Sequence, residues 1–306
     1  MPANKLLLGV AGIWKPELCE PIQSMMMRIA NQYPVHFLIA EEAIQAHFPF
    51  IRDEFCSQPF ISICPVEKVL DDSKFLLSLG GDGTLLRTAR QDAGRGKPII
   101  GVNFGKLGFL TEINPEELEL LIPSLLDGTY TISERIVLEG EVFDDDGQPA
   151  DNGNFWAMND IVVDKSGYSR LITLNIKVGQ EDVGTYRADG VIISTSAGST
   201  GYSLACGGPI LHPALSAILI TPVCPHSLTL RPLVVPTKEI ITVTASTQFH
   251  KILVSGDGHG FDFSLSTLHV TIRQAQEKIK IIKHPSRTYF DVLRSKLMWT
   301  TDGRVN

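Results

Sequence analysis

The sequence has no long hydrophobic run, no surplus of positive charge and no paired cysteines. No stretch approaches the roughly 18 continuous apolar residues of a membrane-spanning helix, so no membrane partner is expected. The net charge of −7 argues against a general nucleic-acid or acidic-membrane binder. If the ligands are polyanions, compensation has to be local, from backbone N–H groups, a few Arg or Lys and Mg²⁺. The five cysteines, Cys19, Cys56, Cys64, Cys206 and Cys224, are scattered and form no C-x-x-C pair, which excludes a disulfide framework and a zinc site and points to the reducing cytoplasm. Two familiar nucleotide loops are also missing. Gly94-Arg95-Gly96-Lys97-Pro98 lacks the spacing and the Ser/Thr of a Walker A loop, and the first apolar strand is not followed by G-x-G-x-x-G. No secretory cleavage site follows Lys5–Trp14, which reads as the first buried strand.

What is present is an ordinary globular composition, 43% hydrophobic and 20% charged, in 306 residues, enough for two domains. The chain is organised around Lys74–Leu79, an apolar strand that stops at Gly80-Gly81-Asp82-Gly83 and restarts as a helix at Thr84. Glycines let a loop backbone approach a ligand closely, and the N–H groups of the following helix can face an anion. Such a loop suits phosphate. A plain phosphate cradle has no use for a central carboxylate, so Asp82 has its own task on a hydroxyl or a cation. Asp-Gly is also a common turn dipeptide, which is the structural alternative.

Residues 1–135 alternate strands and helices. Leu18, Ile22, Met25, Met26 and Ile29 fall at helical spacing, the three consecutive methionines fill the core, and further strands follow at Val35–Ile39, Phe60–Cys64, Lys74–Leu79 and Pro98–Val102, with helices over 84–92 and 115–126. Near-continuous apolar strands alternating with helices predict an α/β domain with a doubly wound, mostly parallel sheet, whose ligands sit at the carboxyl ends of the strands. The glycine segments 80–83 and 103–109 occupy two such ends. From 136 to 271 the pattern changes to strands joined by tight turns, including Ile136–Phe143, Phe155–Asp164, Leu171–Val178, Val183–Arg187, Val191–Thr195, Ser227–Leu230, Ile240–Ala245 and Ile252–Ser255. This is a β-rich domain. Strands at Thr267–Ile272 and Ile279–Ile282 lead to an amphipathic tail at Tyr289–Leu297, so that 272–306 packs back on the first domain.

The most unusual stretch runs from Asp189 to Ile210, a strand that enters a loop of small and hydroxylated residues with one aromatic, Tyr202. Small residues let a flat base lie against backbone, hydroxyls bond its edge, and Tyr202 offers a face for stacking. Together with Gly80–Thr84, Gly101-Val102-Asn103, Leu107–Leu110, Asn159-Asp160, Thr221–His226, Arg231–Pro236 and Ser255–Gly258, this stretch resembles the NAD kinase family, in the family's order and over most of the chain from about 75 onward. The glycine-aspartate loop alone recurs in lipid kinases and phosphofructokinases. The 189–210 run is more specific.

The resemblance implies transfer of the terminal phosphoryl group of ATP to the 2′-hydroxyl of the adenosine ribose of NAD, giving NADP, with a divalent metal, Mg²⁺, and a homodimer or homotetramer. By the same resemblance Asp82 meets the 2′-hydroxyl as proton acceptor or orienting group. Gly80, Gly81, Thr84 and Arg87 face phosphate, and Gly83 lies against NAD. Asn159 and Asp160 hold the ribose, Thr200, Gly201 and Tyr202 hold adenine beside Ala205, and Phe109 covers it. Arg187 is a candidate partner for phosphate, as are Lys106 and Arg231. Asp189 corresponds to a residue that reaches a dinucleotide bound by a neighbouring subunit, or else forms a plain turn. No metal ligand is assigned; Asp257, in a glycine-flanked turn, is the candidate. His226 reads as structural. The chain departs from the family in having Ser196-Ala197 where Pro-Thr is common and Ala205 where Ser is common, which bears on contacts to adenine. Two other readings remain: a lipid kinase built on the same loop, and a non-catalytic NAD(P)-binding sensor.

Overall fold

The computed structural model describes residues 5–46, 50–51, 53–167, 171–248 and 251–299. They form two compact units, one made of the chain up to Glu134 together with Ile279 onward, the other of Arg135–Lys278.

In the first unit, parallel strands lie in the order Ile61–Cys64, Val35–Ala40, Leu6–Val10, Phe75–Leu79, Ile99–Val102, with Ile281 of the last strand beside Ile99. Phe75–Leu79 is buried along its whole length, as a central strand covered on both faces must be. Helix Cys19–Gln32 turns Ile22, Met25, Met26 and Ile29 into the core, but Met27 points outward and is exposed, so only two of the three consecutive methionines fill the core. Helix Pro115–Asp127 starts in a capping box between Asn114 and Glu117 and stops at Gly128, whose left-handed φ of 76° a side chain would resist. The returning segment is tied to this unit. Lys283 N–H donates to the Thr131 carbonyl at 2.9 Å, and Arg287 reaches Glu117 at 2.7 Å and the Glu112 carbonyl. Helix Tyr289–Leu297 buries Val292 and Leu293, whereas Phe290, expected on its apolar face, is exposed.

The second unit packs antiparallel strands in two layers. One sheet runs Leu233–Pro236, Ala217–Val223, Gly190–Thr195, Asp160–Lys165, Ile252–Gly256, His259–Phe263; the other pairs Glu181–Ala188, Ile172–Val178, Ile241–Ser246 and the start of Thr267–Ile282. Alternate residues of both, among them Ile161, Val191 and Val254 from one and Leu174, Val243 and Val270 from the other, make a single core.

Several boundaries differ from the sequence reading. Phe155–Asp164 is two strands, Pro149–Ala157 and Asp160–Lys165, because the N–H groups of Met158 and Asn159 turn to a carboxylate instead of a neighbouring strand. Ser227–Leu230 is not a strand. Pro225 and Pro232 bracket it, and Arg231 binds the carbonyls of Leu228 and Leu230 at 2.7 and 2.8 Å, so they cannot join a ladder. Thr267–Ile272 and Ile279–Ile282 are one strand, Thr267–Ile282. Its polar middle is held by Arg273, which pairs with Glu139 at 2.5 Å. Strands Ala217–Val223, Leu233–Pro236 and His259–Phe263 lie outside the strands expected from the sequence. Among the described residues, no helix is long and apolar enough to cross a membrane.

Candidate active site

In the first unit the site grows from the end of strand Phe75–Leu79. Gly80 takes a φ of 151°, and a Cβ there would meet the Thr84 hydroxyl at 2.6 Å. Gly81 caps the next helix, which begins at Asp82 and not at Thr84, so Asp82 and Gly83 belong to its first turn. Gly81 and Gly83 are exposed, and a Cβ on either would meet nothing within 4 Å. Open space therefore faces the unpaired N–H groups of the helix start, where the dipole favours an anion. Arg87 is exposed one turn further on, with its guanidinium 3.5 Å from the Thr84 hydroxyl.

Asp82 points to the segment that follows the neighbouring strand Ile99–Val102. Its carboxylate accepts the N–H groups of Phe109 at 2.8 Å, Leu110 at 3.0 Å and Thr111 at 3.0 Å, and the Thr111 hydroxyl at 2.9 Å. The two glycine segments expected at adjacent strand ends are thus joined through one carboxylate. Gly108 has to be glycine, since a Cβ would sit 1.9 Å from Asp82 Oδ1. Asn103 holds the loop from inside, accepting Gly105 N–H at 2.8 Å and donating to the Lys106 carbonyl at 2.6 Å and the Thr111 hydroxyl at 3.1 Å. Phe109 is half-buried, with the Lys296 ammonium 5.9 Å from its ring centre.

In the second unit Asp160 opens its strand next to Asn159. Asp257, in a left-handed turn at φ 49°, accepts the N–H groups of Met158 at 2.8 Å, Asn159 at 2.8 Å and Asp160 at 3.1 Å. Burial, and after it the charge of Asp257, pushes the Asp160 carboxyl up to about 7. The 189–210 run is more ordered than a loop: strand Gly190–Thr195 leads to a 3₁₀ turn at Gly198–Thr200 and a short helix at Tyr202–Ala205. Gly198 lies so close to Asn159 that a Cβ would meet its carbonyl oxygen at 2.1 Å, and a Cβ on Gly201 would come 3.7 Å from Asp160 Oδ2. Glycine and small residues thus bring the Thr200–Tyr202 backbone against the buried carboxyl. The Thr200 hydroxyl donates to the Ala197 carbonyl at 3.2 Å, Tyr202 is 44% exposed and offers its ring, and Ala205 is exposed. Ser203 is bonded to Thr221 at 2.7 Å beneath them.

Asn159, Asp160, Thr200 and Gly201 therefore come together. Arg187 is exposed on strand Glu181–Ala188, and its carbonyl accepts the His226 N–H at 3.0 Å. Asp189 is not in a free turn. Its carboxylate meets the Lys165 ammonium at 2.6 Å. Asp257 has both oxygens bonded to backbone N–H groups, and among the described residues no three His, Cys, Asp or Glu side chains gather as a cation site. Thr111 and Asn103 were not singled out as site residues in the sequence, where only their position in and beside the quoted Gly101–Leu110 segments marks them.

Comparison with known proteins is consistent across sequence and structure. Residues 65–130 match the family model of the ATP-NAD kinase N-terminal domain, and residues 158–284 that of the ATP-NAD kinase C-terminal domain. The chain is 41% identical over 235 residues to an NAD kinase of Chlorobium phaeobacteroides (strain BS1), spanning 77% of this chain and 80% of that one. It is 43% identical over 224 residues to an NAD kinase of Gemmatimonas aurantiaca, spanning 73% and 77%. The fold matches yeast NADH kinase complexed with NADH, with a TM-score of 0.85 and 22% identity over 100% of this chain and 91% of that one. It also matches an NAD kinase from Archaeoglobus fulgidus in complex with ATP, with a TM-score of 0.69 and 23% identity over 95% and 99%.

Proposed function

The chain belongs to the NAD kinase family, and from this we infer that it transfers the terminal phosphoryl group of ATP to the 2′-hydroxyl of the adenosine ribose of NAD, giving NADP. The observation that carries the residue-level reading is the fixed carboxylate of Asp82 beside the open helix start. In phosphoryl transfer the transition state is loose, so alignment and charge stabilisation matter more than a strong base. Asp82 accepts or orients the proton of the attacking hydroxyl. Gly80, Gly81, Gly83, Thr84 and Arg87 leave room and positive potential for phosphate oxygens.

Asp160 suits a ribose hydroxyl: buried and titrating at about 7, it can accept or donate a hydrogen bond near neutral pH. Asn159 lies beside it, and Thr200, Gly201 and Tyr202 receive adenine. Arg187 and Asp189 are proposed to contact the dinucleotide, Asp189 after release from Lys165 or together with it. The carboxylates here do not fit a resident metal, because among the described residues no three His, Cys, Asp or Glu side chains gather around one point. The divalent cation, proposed as Mg²⁺, belongs to the substrate and arrives on the phosphates of ATP, as this ion commonly does. A cytoplasmic homo-oligomer accords with the scattered cysteines and with exposed sheet edges.

The test is NADP formation by the purified protein from NAD, ATP and Mg²⁺, coupled to an NADP-specific dehydrogenase. Product is expected from this chain; none, with NAD still binding by calorimetry, would overturn the reading.

A further inference from the structure

We propose that Thr111 is a positioning residue that decides which oxygen of Asp82 meets the substrate hydroxyl; the proposal rests on the kinase reading above. The two carboxylate oxygens are not equivalent. Oδ1 accepts Leu110 N–H, Thr111 N–H and the Thr111 hydroxyl at 3.0, 3.0 and 2.9 Å, whereas Oδ2 accepts only Phe109 N–H at 2.8 Å. A carboxylate oxygen offers about two lone-pair directions. Oδ1 is saturated, and the remaining acceptor direction belongs to Oδ2.

Thr111 supplies two of the three donors on Oδ1 and is itself fully buried. Its hydroxyl does not choose its direction freely. The Asn103 amide donates to Thr111 Oγ1 at 3.1 Å, which occupies a lone pair and turns the hydroxyl proton toward Asp82. Gly108 then lets the carboxylate approach this close, since any Cβ would occupy the position of Oδ1. The relay Asn103, Thr111, Asp82 fixes the rotation of the carboxylate about its last bond. With Oδ1 held, Oδ2 stays aimed for the hydroxyl through the transition state, and no reorganisation is needed at that moment. Without the hydroxyl the carboxylate can rotate, and part of its population presents the wrong oxygen.

The experiment compares Thr111→Val, which keeps shape and removes the hydroxyl, with Thr111→Ser, which keeps the hydroxyl, in the full-length enzyme with NAD, ATP and Mg²⁺. Loss of one hydrogen bond to a charged group predicts a fall in kcat of about tenfold to a hundredfold for Thr111→Val, with the KM values for NAD and ATP unchanged. Thr111→Ser should stay within about twofold of wild type, since its donor remains. If Thr111→Val does not fold by circular dichroism, Thr111→Ala carries the same test, being smaller and also without the hydroxyl. Wild-type kcat in the hydroxyl-free variant, a loss confined to KM, or an equal loss in Thr111→Ser would overturn the proposal. No NADP from the wild-type enzyme would overturn the kinase reading instead, so the two failures are told apart in one plate.

Discussion

Asp160 and Asp257 hold each other through their backbones. Asp257 accepts the Asp160 N–H on its carboxylate at 3.1 Å, and its own N–H donates to the Asp160 carbonyl at 3.0 Å. Burial disfavours the Asp160 anion, and the reciprocal bond adds the negative charge of Asp257 beside it, so the carboxyl rises from the ordinary 3.8 to about 7. Only the side chain of Asp257 is satisfied by backbone donors; Asp160 receives the penalty.

The first prediction follows from that pair. Because the folded-state value is raised, the folded chain keeps a proton on Asp160 that the unfolded chain has released between about pH 4 and pH 7, so stability is greatest below that window and falls as pH rises through it. Asp160→Asn removes the dependence. Its stability advantage over wild type should grow across the window and level off above it, reaching the order of a few kcal/mol. Thermal melting of both proteins from acid to mildly alkaline buffer checks this; parallel curves would refute the assignment.

Asp82→Asn keeps the volume of the side chain but loses a negative acceptor. Turnover should fall by about 10²- to 10⁴-fold, the range for removal of a proton-transfer group, while the circular dichroism spectrum stays native. Asp82→Ala should be equally inactive and less stable, since the N–H groups of Leu110 and Thr111 lose their acceptor. Full turnover in Asp82→Asn would remove the residue from the chemistry.

Gly198→Ala tests the close approach in the second unit. The added methyl has only the Asn159 backbone to move, and backbone cannot step aside as a flexible side chain would. A loss of about 1–3 kcal/mol is expected, with a raised KM for NAD and a smaller change in the KM for ATP. An unchanged KM for NAD would separate this glycine from the dinucleotide.

Arg287→Ala should loosen the returning segment. Burial raises the Glu117 carboxyl, but the bonds from Arg287 and from the Asn114 backbone outweigh it and hold Glu117 below the usual range. A lowered value gives stability that is present above the unfolded pKa and lost as pH falls through the folded one. The variant should be about 1–3 kcal/mol less stable at neutral pH, the size of a hydrogen bond between charged groups, and the difference should shrink in acid. Urea titrations near neutrality and in acid would show whether it does.

Local signals were legible in the sequence; distant partners were not. The capping box at Asn114 and the stop at Gly128 are written in adjacent residues, as are the uniform apolar strand Phe75–Leu79 and its glycines. The break at Met158-Asn159 is caused by Asp257, about a hundred positions away, and no pattern within Phe155–Asp164 announces it. For the same reason Asp257 could be noticed as a carboxylate without its partners being known. Asp82 stood out because it interrupts glycines; Thr111 is an unremarked hydroxyl until the fold turns it toward Asp82. Strand Thr267–Ile282 reads as two because its middle faces ion pairs with Glu139 and Glu141 and not a core.

That strand also orders events during synthesis. Residues 135–278 are all available before Ile281, which supplies the parallel neighbour of Ile99, has left the ribosome. The inner unit can therefore complete its own pairing while the outer one waits. Until then Ile99–Val102 borders an unfilled position. The sheet that carries Asp82 is finished only by residues made after the inner unit, so the Asp82 loop gains its final support as a late product of translation.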